Sequence, residues 1–145
     1  MKKKIKKPRK LVGQKLTDAL DDTIRYILHA QYPHPVCFVC GRPSGWFHPR
    51  KNPHGIQVGH YISRRVHPLR WDLKNVWPQC SSCNEKHQWN TLPFTVRIMG
   101  TAGPERIDYL NKKYHGYKNH KMTTIEKREL LVTLQQFFLD LQHSV

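Results

Sequence analysis

Four cysteines and a group of histidines and asparagines carry most of the chemistry this sequence could perform. Cys37-Phe38-Val39-Cys40 and Cys80-Ser81-Ser82-Cys83 form two C-x-x-C pairs. The two-residue gap lets both sulfurs of a pair face one ion, and Gly41, directly after the first pair, permits the tight turn of a knuckle. Two such pairs complete a tetrahedral shell of four thiolates for Zn²⁺. A redox role would expect a βαβ context around one pair, of which there is no sign. Four thiolates leave no open coordination position, so this zinc is expected to be structural and to stand in for core that a small chain lacks.

The 39-residue insert between the pairs is long for a simple zinc ribbon. It holds Gly59-His60-Tyr61, Arg64-Arg65, Leu69-Arg70-Trp71-Asp72 and Asn75, and the second pair runs on into Asn84, Glu85, Lys86 and His87. Hydrolysing a phosphodiester needs a base to activate water, a Lewis acid for the departing oxygen, and a group that orients the base. His60 is the natural base, since neutral imidazole accepts a proton at working pH. Asn75 would fix its pose by bonding to the loop or to the His60 backbone. Asn84 and His87, three apart on a helix, share a face and could present an amide oxygen and an imidazole nitrogen to Mg²⁺ or Mn²⁺. The order of knuckle, His, Asn, knuckle, Asn is that of an HNH site. Each residue also has a plainer reading. His48, His54, His67, His115, His120 and His143 are read as surface residues without a role, and an Asn after a knuckle can simply cap a helix. Arg64, Arg65 and Arg70 suit phosphate clamps, because a guanidinium binds phosphate bidentately.

Charge points the same way. Lys plus Arg number 25 against 10 Asp plus Glu, a net charge of +15. A zinc with four thiolates removes only two of these, leaving about +13. DNA, RNA or an anionic membrane would all answer such a field. Nucleic acid is favoured, because the cations are interleaved with Trp, Tyr, His and Asn rather than gathered on one amphipathic helix. Lys2, Lys3, Lys4, Lys6, Lys7, Arg9 and Lys10 precede the first helix, and residues 1–13 read as a flexible phosphate-contacting arm or a solubilising tail. No apolar run reaches the length of a bilayer span and none follows the basic start as in a signal peptide. The expectation is a cytoplasmic protein of a bacterial or phage-infected cell, with no membrane partner.

The elements that must hold these residues are legible in part. Leu16, Ala19, Leu20, Ile24, Ile27 and Leu28 repeat with helical period over residues 14–32, ended by Pro33 and Pro35. Strand-like pieces at 46–47 and 56–58 suggest an irregular hairpin. A short helix is expected from Cys83 to about Trp89, and another segment opened by Pro93, spanning 94–99 and closed by Gly100. Pro104 suits the start of a helix carrying Ile107 and Leu110. Thr123-Thr124-Ile125-Glu126 matches a capping box, and Ile125, Leu130, Leu131, Leu134, Phe138 and Leu141 make an apolar stripe, either core or the seam of a homodimer. The fold class expected is α+β: one domain over residues 14–145, with a zinc-stabilised treble-clef or ββα-metal core and added N- and C-terminal helices.

At these residues the sequence resembles the NinG/Rap family of lambdoid phage recombination proteins. The resemblance rests on Cys37 and Cys40, Gly59-His60-Tyr61, Arg64, Leu69-Arg70-Trp71-Asp72, Asn75-Val76, Gln79-Cys80, Cys83-Asn84 and Asn90, and covers roughly residues 18–140. It implies an HNH-related, divalent-metal-dependent endonuclease acting on branched DNA such as Holliday junctions and D-loops, with Asn90 among the DNA-facing residues. Two departures stand out. The family usually has Gly where this chain has Trp89, and HNH enzymes at large often place an acidic metal ligand where this chain has Gly59. Asp72, a phosphate oxygen or His60 itself are the candidates for the missing ligand. Two other readings remain open at this point: a treble-clef module that binds DNA without cutting it, and an HNH nicking enzyme serving packaging or homing.

Overall fold

The computed structural model describes residues 11–144; the seven cations of the arm, at 2–10, lie outside the described residues. The described chain is α+β, running α1 (Gly13–Gln31), β1 (Gln57–His60), α2 (His67–Arg70), a 3-10 turn (Leu73–Asn75), β2 (Val76–Gln79), α3 (Ser81–His87), α4 (Leu92–Ala102), α5 (Pro104–Tyr117) and α6 (Thr124–His143). Where the sequence suggests one domain from residue 14 onward, the contacts group into two compact units, Met1–Gln31 with Lys121–Val145, and Tyr32–His120.

The first unit is a helix pair. Helix α1 buries Leu16, Ala19, Leu20, Thr23, Ile24, Ile27 and Leu28, the apolar face its periodicity dictates. The Thr23 hydroxyl within that face donates to Ala19 O at 2.7 Å, so no polar group is stranded there. Helix α6 opens on the expected capping box: Thr123 Oγ1 accepts from Glu126 N at 3.2 Å, and Glu126 Oε2 accepts from Thr123 N at 2.7 Å. Leu131, Leu134 and Phe138 are its buried residues, and Phe138 packs on Tyr26 of α1 at 6.0 Å between ring centroids. Each such side chain contributes on the order of 1.5–3 kcal/mol by leaving water. The middle of the stripe is therefore core, while Ile125 at its start is 67% exposed.

The second unit holds the sheet. Strands β1 and β2 pair antiparallel, with Gln57 opposite Gln79, Val58 opposite Pro78, Gly59 opposite Trp77 and His60 opposite Val76. This replaces the expected hairpin: Trp46 meets Ile56 only in an isolated bridge, and residues 46–47 form no strand. The true partner is hard to see in sequence because Val76, Trp77, Pro78 and Gln79 are all buried, so no alternation marks the strand, and a proline argues against one. Pro78 has no N–H to give, but its carbonyl accepts from Phe38 N at 2.8 Å, which ties the first knuckle to β2.

Helix α3 begins at Ser81, inside the second knuckle rather than after Cys83, with Cys80 as its N-cap: Cys80 Sγ accepts from Cys83 N at 3.4 Å. Helix α4 runs through Gly100, the expected stop, to Ala102. Burial of Phe94 and Ile98 on its inner face outweighs the roughly 1 kcal/mol that a helical glycine costs. Val66, Leu69, Trp77, Phe94, Ile98 and Leu110 form the core of this unit, with Phe38 stacked on Trp77 at 5.2 Å. No described helix is long and apolar enough to cross a membrane.

Candidate metal centre and functional site

Cys37, Cys40, Cys80 and Cys83 converge with their sulfurs all within 4.8 Å of one another, and none is in a disulfide. The Cys40 and Cys80 sulfurs lie 3.9 Å apart. A tetrahedral zinc site with four sulfur bonds of about 2.3 Å spaces its sulfurs about 3.8 Å apart, so the donor set and its spacing fit zinc. The local chain builds this directly. Gly41 N donates to Cys37 O at 2.8 Å, and Gly41 takes a φ of +76°, which closes the knuckle in a conformation that a side chain would resist. Electrostatics call for a cation as well. Burial opposes ionisation of Cys37, but the backbone N–H groups of Cys40, Cys80 and Val39 outweigh it and bring its thiol down to about 7. Burial, with the thiolate of Cys37 close by, pushes the Cys80 and Cys83 thiols up. Zinc takes thiolates as ligands, so its binding here would release protons.

His60 ends β1. Its Nε2 lies 2.8 Å from Arg70 O. A carbonyl can only accept, so Nε2 carries the proton and the basic lone pair of the neutral ring is on Nδ1. The loop that supplies Arg70 O is fixed by Asn75, which has no exposed surface. Asn75 Oδ1 accepts from Ile62 N at 2.8 Å, and its Nδ2 donates to Ile62 O at 2.9 Å and Leu69 O at 3.0 Å. Asn75 O accepts from Tyr61 N at 3.0 Å as well. One buried amide thus joins the residues just after His60 to the residue just before Arg70, and Asn75 can act only by positioning.

On α3, Asn84 and His87 reach different points of the sheet. Asn84 Nδ2 donates to Gln57 Oε1 at 3.2 Å, at the beginning of β1. His87 Nε2 donates to Tyr61 O at 2.7 Å, beyond its end, and the imidazole packs 4.9 Å from the Phe94 ring. His87 Nδ1 is buried and has no hydrogen-bond partner among the described residues. Gln79, fully buried on β2, is in the same condition at both Oε1 and Nε2.

The family model described as "Bacteriophage Lambda NinG protein" matches residues 1–142 of this chain. The chain belongs to the NinG family. Relatives include the "Protein ninG" of Escherichia phage 933W and that of Salmonella phage P22, each 31% identical over 88 residues, and that of Escherichia phage lambda, 29% identical over 88 residues. In each case the match takes in 60% of this chain and 42% of the relative, so it spans less than half the length of those NinG proteins. No solved structure gives a significant match.

The remaining candidate residues of this NinG chain are spread around His60. Arg64 and Arg65 are exposed in the turn after β1. The Arg70 guanidinium lies 5.3 Å over the Trp71 ring while its carbonyl holds His60. Asn90 stands just before Thr91, the N-cap of α4, and its Oδ1 accepts from Leu92 N at 3.3 Å. Asp72, a sequence candidate for the missing metal ligand, is engaged elsewhere: its Oδ2 accepts from Lys113 Nζ at 2.6 Å and Tyr109 Oη at 2.7 Å, and its Oδ1 caps Lys74 N at 2.9 Å. Burial resists its charge, but Lys113 and Tyr109 prevail and hold its carboxyl below the usual range. Gln79 is the residue that sequence reasoning missed. The available signal was Gly59: a lone glycine in a strand marks close approach, and a Cβ there would overlap the Gln79 carboxamide.

Proposed function

We propose that this NinG protein is a zinc-stabilised, divalent-metal-dependent endonuclease of the HNH type that cuts branched DNA during phage recombination. The observation that carries the reading is His60: an imidazole at the end of the first of two antiparallel strands, its tautomer set by Arg70 O, in a β1–β2–α3 unit whose helix starts at the cysteine cluster. In this reading β1, β2 and α3 are the ββα core, and the zinc holds the knuckles without taking part in chemistry.

His60 Nδ1 takes a proton from water as the water oxygen bonds to phosphorus and the phosphorus–oxygen bond to the leaving strand breaks. Asn75 keeps the imidazole in that pose through the loop. His87 on α3 would hold Mg²⁺ or Mn²⁺ through Nδ1, which is buried and without a partner among the described residues, while Asn84 bonds Gln57 at the other end of β1. When bound, the ion supplies charge stabilisation at the departing oxygen. The exposed Arg64 and Arg65, Arg70, Asn90 and the seven arm cations contact phosphates, which accounts for the net charge of +15. Branched DNA is read by shape and phosphate geometry, so no base-reading signature is required.

The test is incubation of purified protein with a labelled four-way junction, matched linear duplex and single strand, each with and without Mg²⁺ or Mn²⁺. Incision of the junction only with the ion present is expected. Tight, metal-independent binding without incision would instead favour a treble-clef binding module, and preferential nicking of linear duplex would favour a packaging or homing role.

A further inference from the structure

The chain has four tryptophans, and three of them are engaged within Tyr32–His120. Trp46 Nε1 donates to Tyr32 O at 2.9 Å, Trp71 is 2% exposed, and Trp77 stacks on Phe38 at 5.2 Å. Trp89 is 72% exposed. It stands in the link between α3 and α4, and backbone hydrogen bonds fix that link: Lys86 O accepts from Trp89 N at 3.2 Å and from Asn90 N at 2.9 Å, and Gln88 N donates to Glu85 O at 3.2 Å. The apolar exposure continues into α4 with Leu92 at 65%, and the exposed Val96 and Met99, four and seven positions on, share the face of Leu92. A single exposed apolar side chain needs no explanation, but an indole held out at the head of an apolar helix face does.

We infer that Trp89 stacks on a base whose face is exposed at the branch point of DNA, with Leu92, three residues on, as an apolar wedge and Lys86 meeting the neighbouring phosphate. Charge selects this occupant over a protein partner. Between Lys86 and Glu105 the sequence has no carboxylate, and the whole chain carries +15, so a phosphate strand meets no acidic residue along the link or α4. Lys86 is exposed, and its own carbonyl holds the turn that carries Trp89. Position agrees with charge. Trp89 follows His87 by two residues, and His87 Nε2 donates to Tyr61 O at 2.7 Å, next to His60. The exposed indole is thus tied through one hydrogen bond to the residue after the proposed general base.

Inside a duplex each base pair is covered on both sides by its neighbours, whereas a branch point or a single strand leaves base faces uncovered. Phosphate contacts fix position and affinity but do not tell these forms apart by their bases. An aromatic platform does, and it does so without reading sequence, because every base has a π-face. An apolar side chain set into a base step keeps that step unstacked. Trp89 and Leu92 would therefore give the protein a preference for branched over linear DNA that its cations alone cannot. The purpose of the stack rests on the branched-DNA nuclease reading, but its test reads binding and not cleavage.

The full-length, zinc-loaded chain, without added Mg²⁺ or Mn²⁺, is titrated with a four-way junction, a single strand and a long linear duplex. Tryptophan emission reports stacking, and anisotropy of labelled DNA reports affinity. The junction and the single strand should quench emission well beyond the duplex, and Trp89→Ala should remove that excess. The same variant should bind the junction and the single strand at least about fivefold more weakly, with duplex affinity within about twofold of wild type. Trp89→Phe, which keeps an aromatic face, should stay within about threefold on all three DNAs. Zinc content and circular dichroism report folding, which an exposed position leaves intact in both variants. Equal losses on all three DNAs, no loss on any, or a wild type that binds neither junction nor single strand would overturn the inference. So would a wild-type dimer that Trp89→Ala splits in sedimentation, which would assign the face to a second copy. A selective loss in a protein that cuts no DNA would keep the stack and remove the nuclease. Junction cleavage with DNA binding indifferent to Trp89 would do the reverse.

Discussion

The two ends of β2 present the same chemistry in opposite conditions. Asn75, just before the strand, and Gln79, at its last position, are both amides with 0% exposure. Asn75 has all its hydrogen bonds within the protein, two to Ile62 and one to Leu69. Gln79 has none. An amide with every bond made is a brace, and it braces the loop carrying the carbonyl that holds His60. Gln79 lines the same cavity as His87, whose Nδ1 also has no partner among the described residues. One end of the strand is braced by side-chain hydrogen bonds and the other is not.

Removing the zinc should erase this contrast altogether, since Cys80 follows Gln79 directly and all four sulfurs close on one point. Cys37→Ala or prolonged chelation is expected to abolish folding of Tyr32–His120, read as loss of near-ultraviolet dichroism and of the slowest-exchanging amides, because structural zinc contributes folding free energy outright. Asn75→Leu comes next. It strands Ile62 N, Ile62 O and Leu69 O, and urea denaturation should show a loss of about 2–4 kcal/mol.

Asp72 adds a third condition, a buried group whose partners are ionic. Its folded-state pKa lies below the ordinary aspartate value of 3.8, so its contribution is present above that value and is lost as pH falls through the folded pKa. Asp72→Asn should therefore cost about 1–2 kcal/mol at about pH 7, with the difference from wild type closing at acid pH in denaturation curves. The smallest effect belongs to Gln79→Met. Replacing a partnerless amide by an apolar group of similar shape should change stability by less than about 1 kcal/mol, and a gain is as acceptable as no change. A loss as large as that of Asn75→Leu would show that the two amides are braces alike.

Where local pattern decides structure, the sequence was readable. The α1 periodicity, the capping box of Thr123 and Glu126, and the spacing within each cysteine pair depend on neighbours a few residues apart, and each is found in the structure as read. Where distant residues decide, it was not. The pairing of β1 with β2 joins segments separated by the whole of residues 61–75, and β2 lacks alternation because every one of its residues is buried. Helix α4 passes Gly100 because Phe94 and Ile98 have a core to enter, a tertiary effect invisible in a window of about ten residues. His60 and Asn75 could be named from their order along the chain, but the carbonyl of Arg70 as the group that sets the His60 tautomer could not. Gln79 was visible only as part of a motif. Its isolation depends on the missing side chain of Gly59 on the opposite strand.

The central claim is that His60 moves a proton, and one comparison tests it most directly. His60→Ala and wild type, matched for zinc content, are assayed side by side for cutting and for binding of the same labelled four-way junction with Mg²⁺ or Mn²⁺. The expected result is a fall in single-turnover cleavage of about 10²–10⁴-fold, with junction affinity and zinc content close to wild type. Cleavage by His60→Ala at the wild-type rate, or a wild-type protein that binds the junction and never cuts it with any divalent ion, would contradict the account.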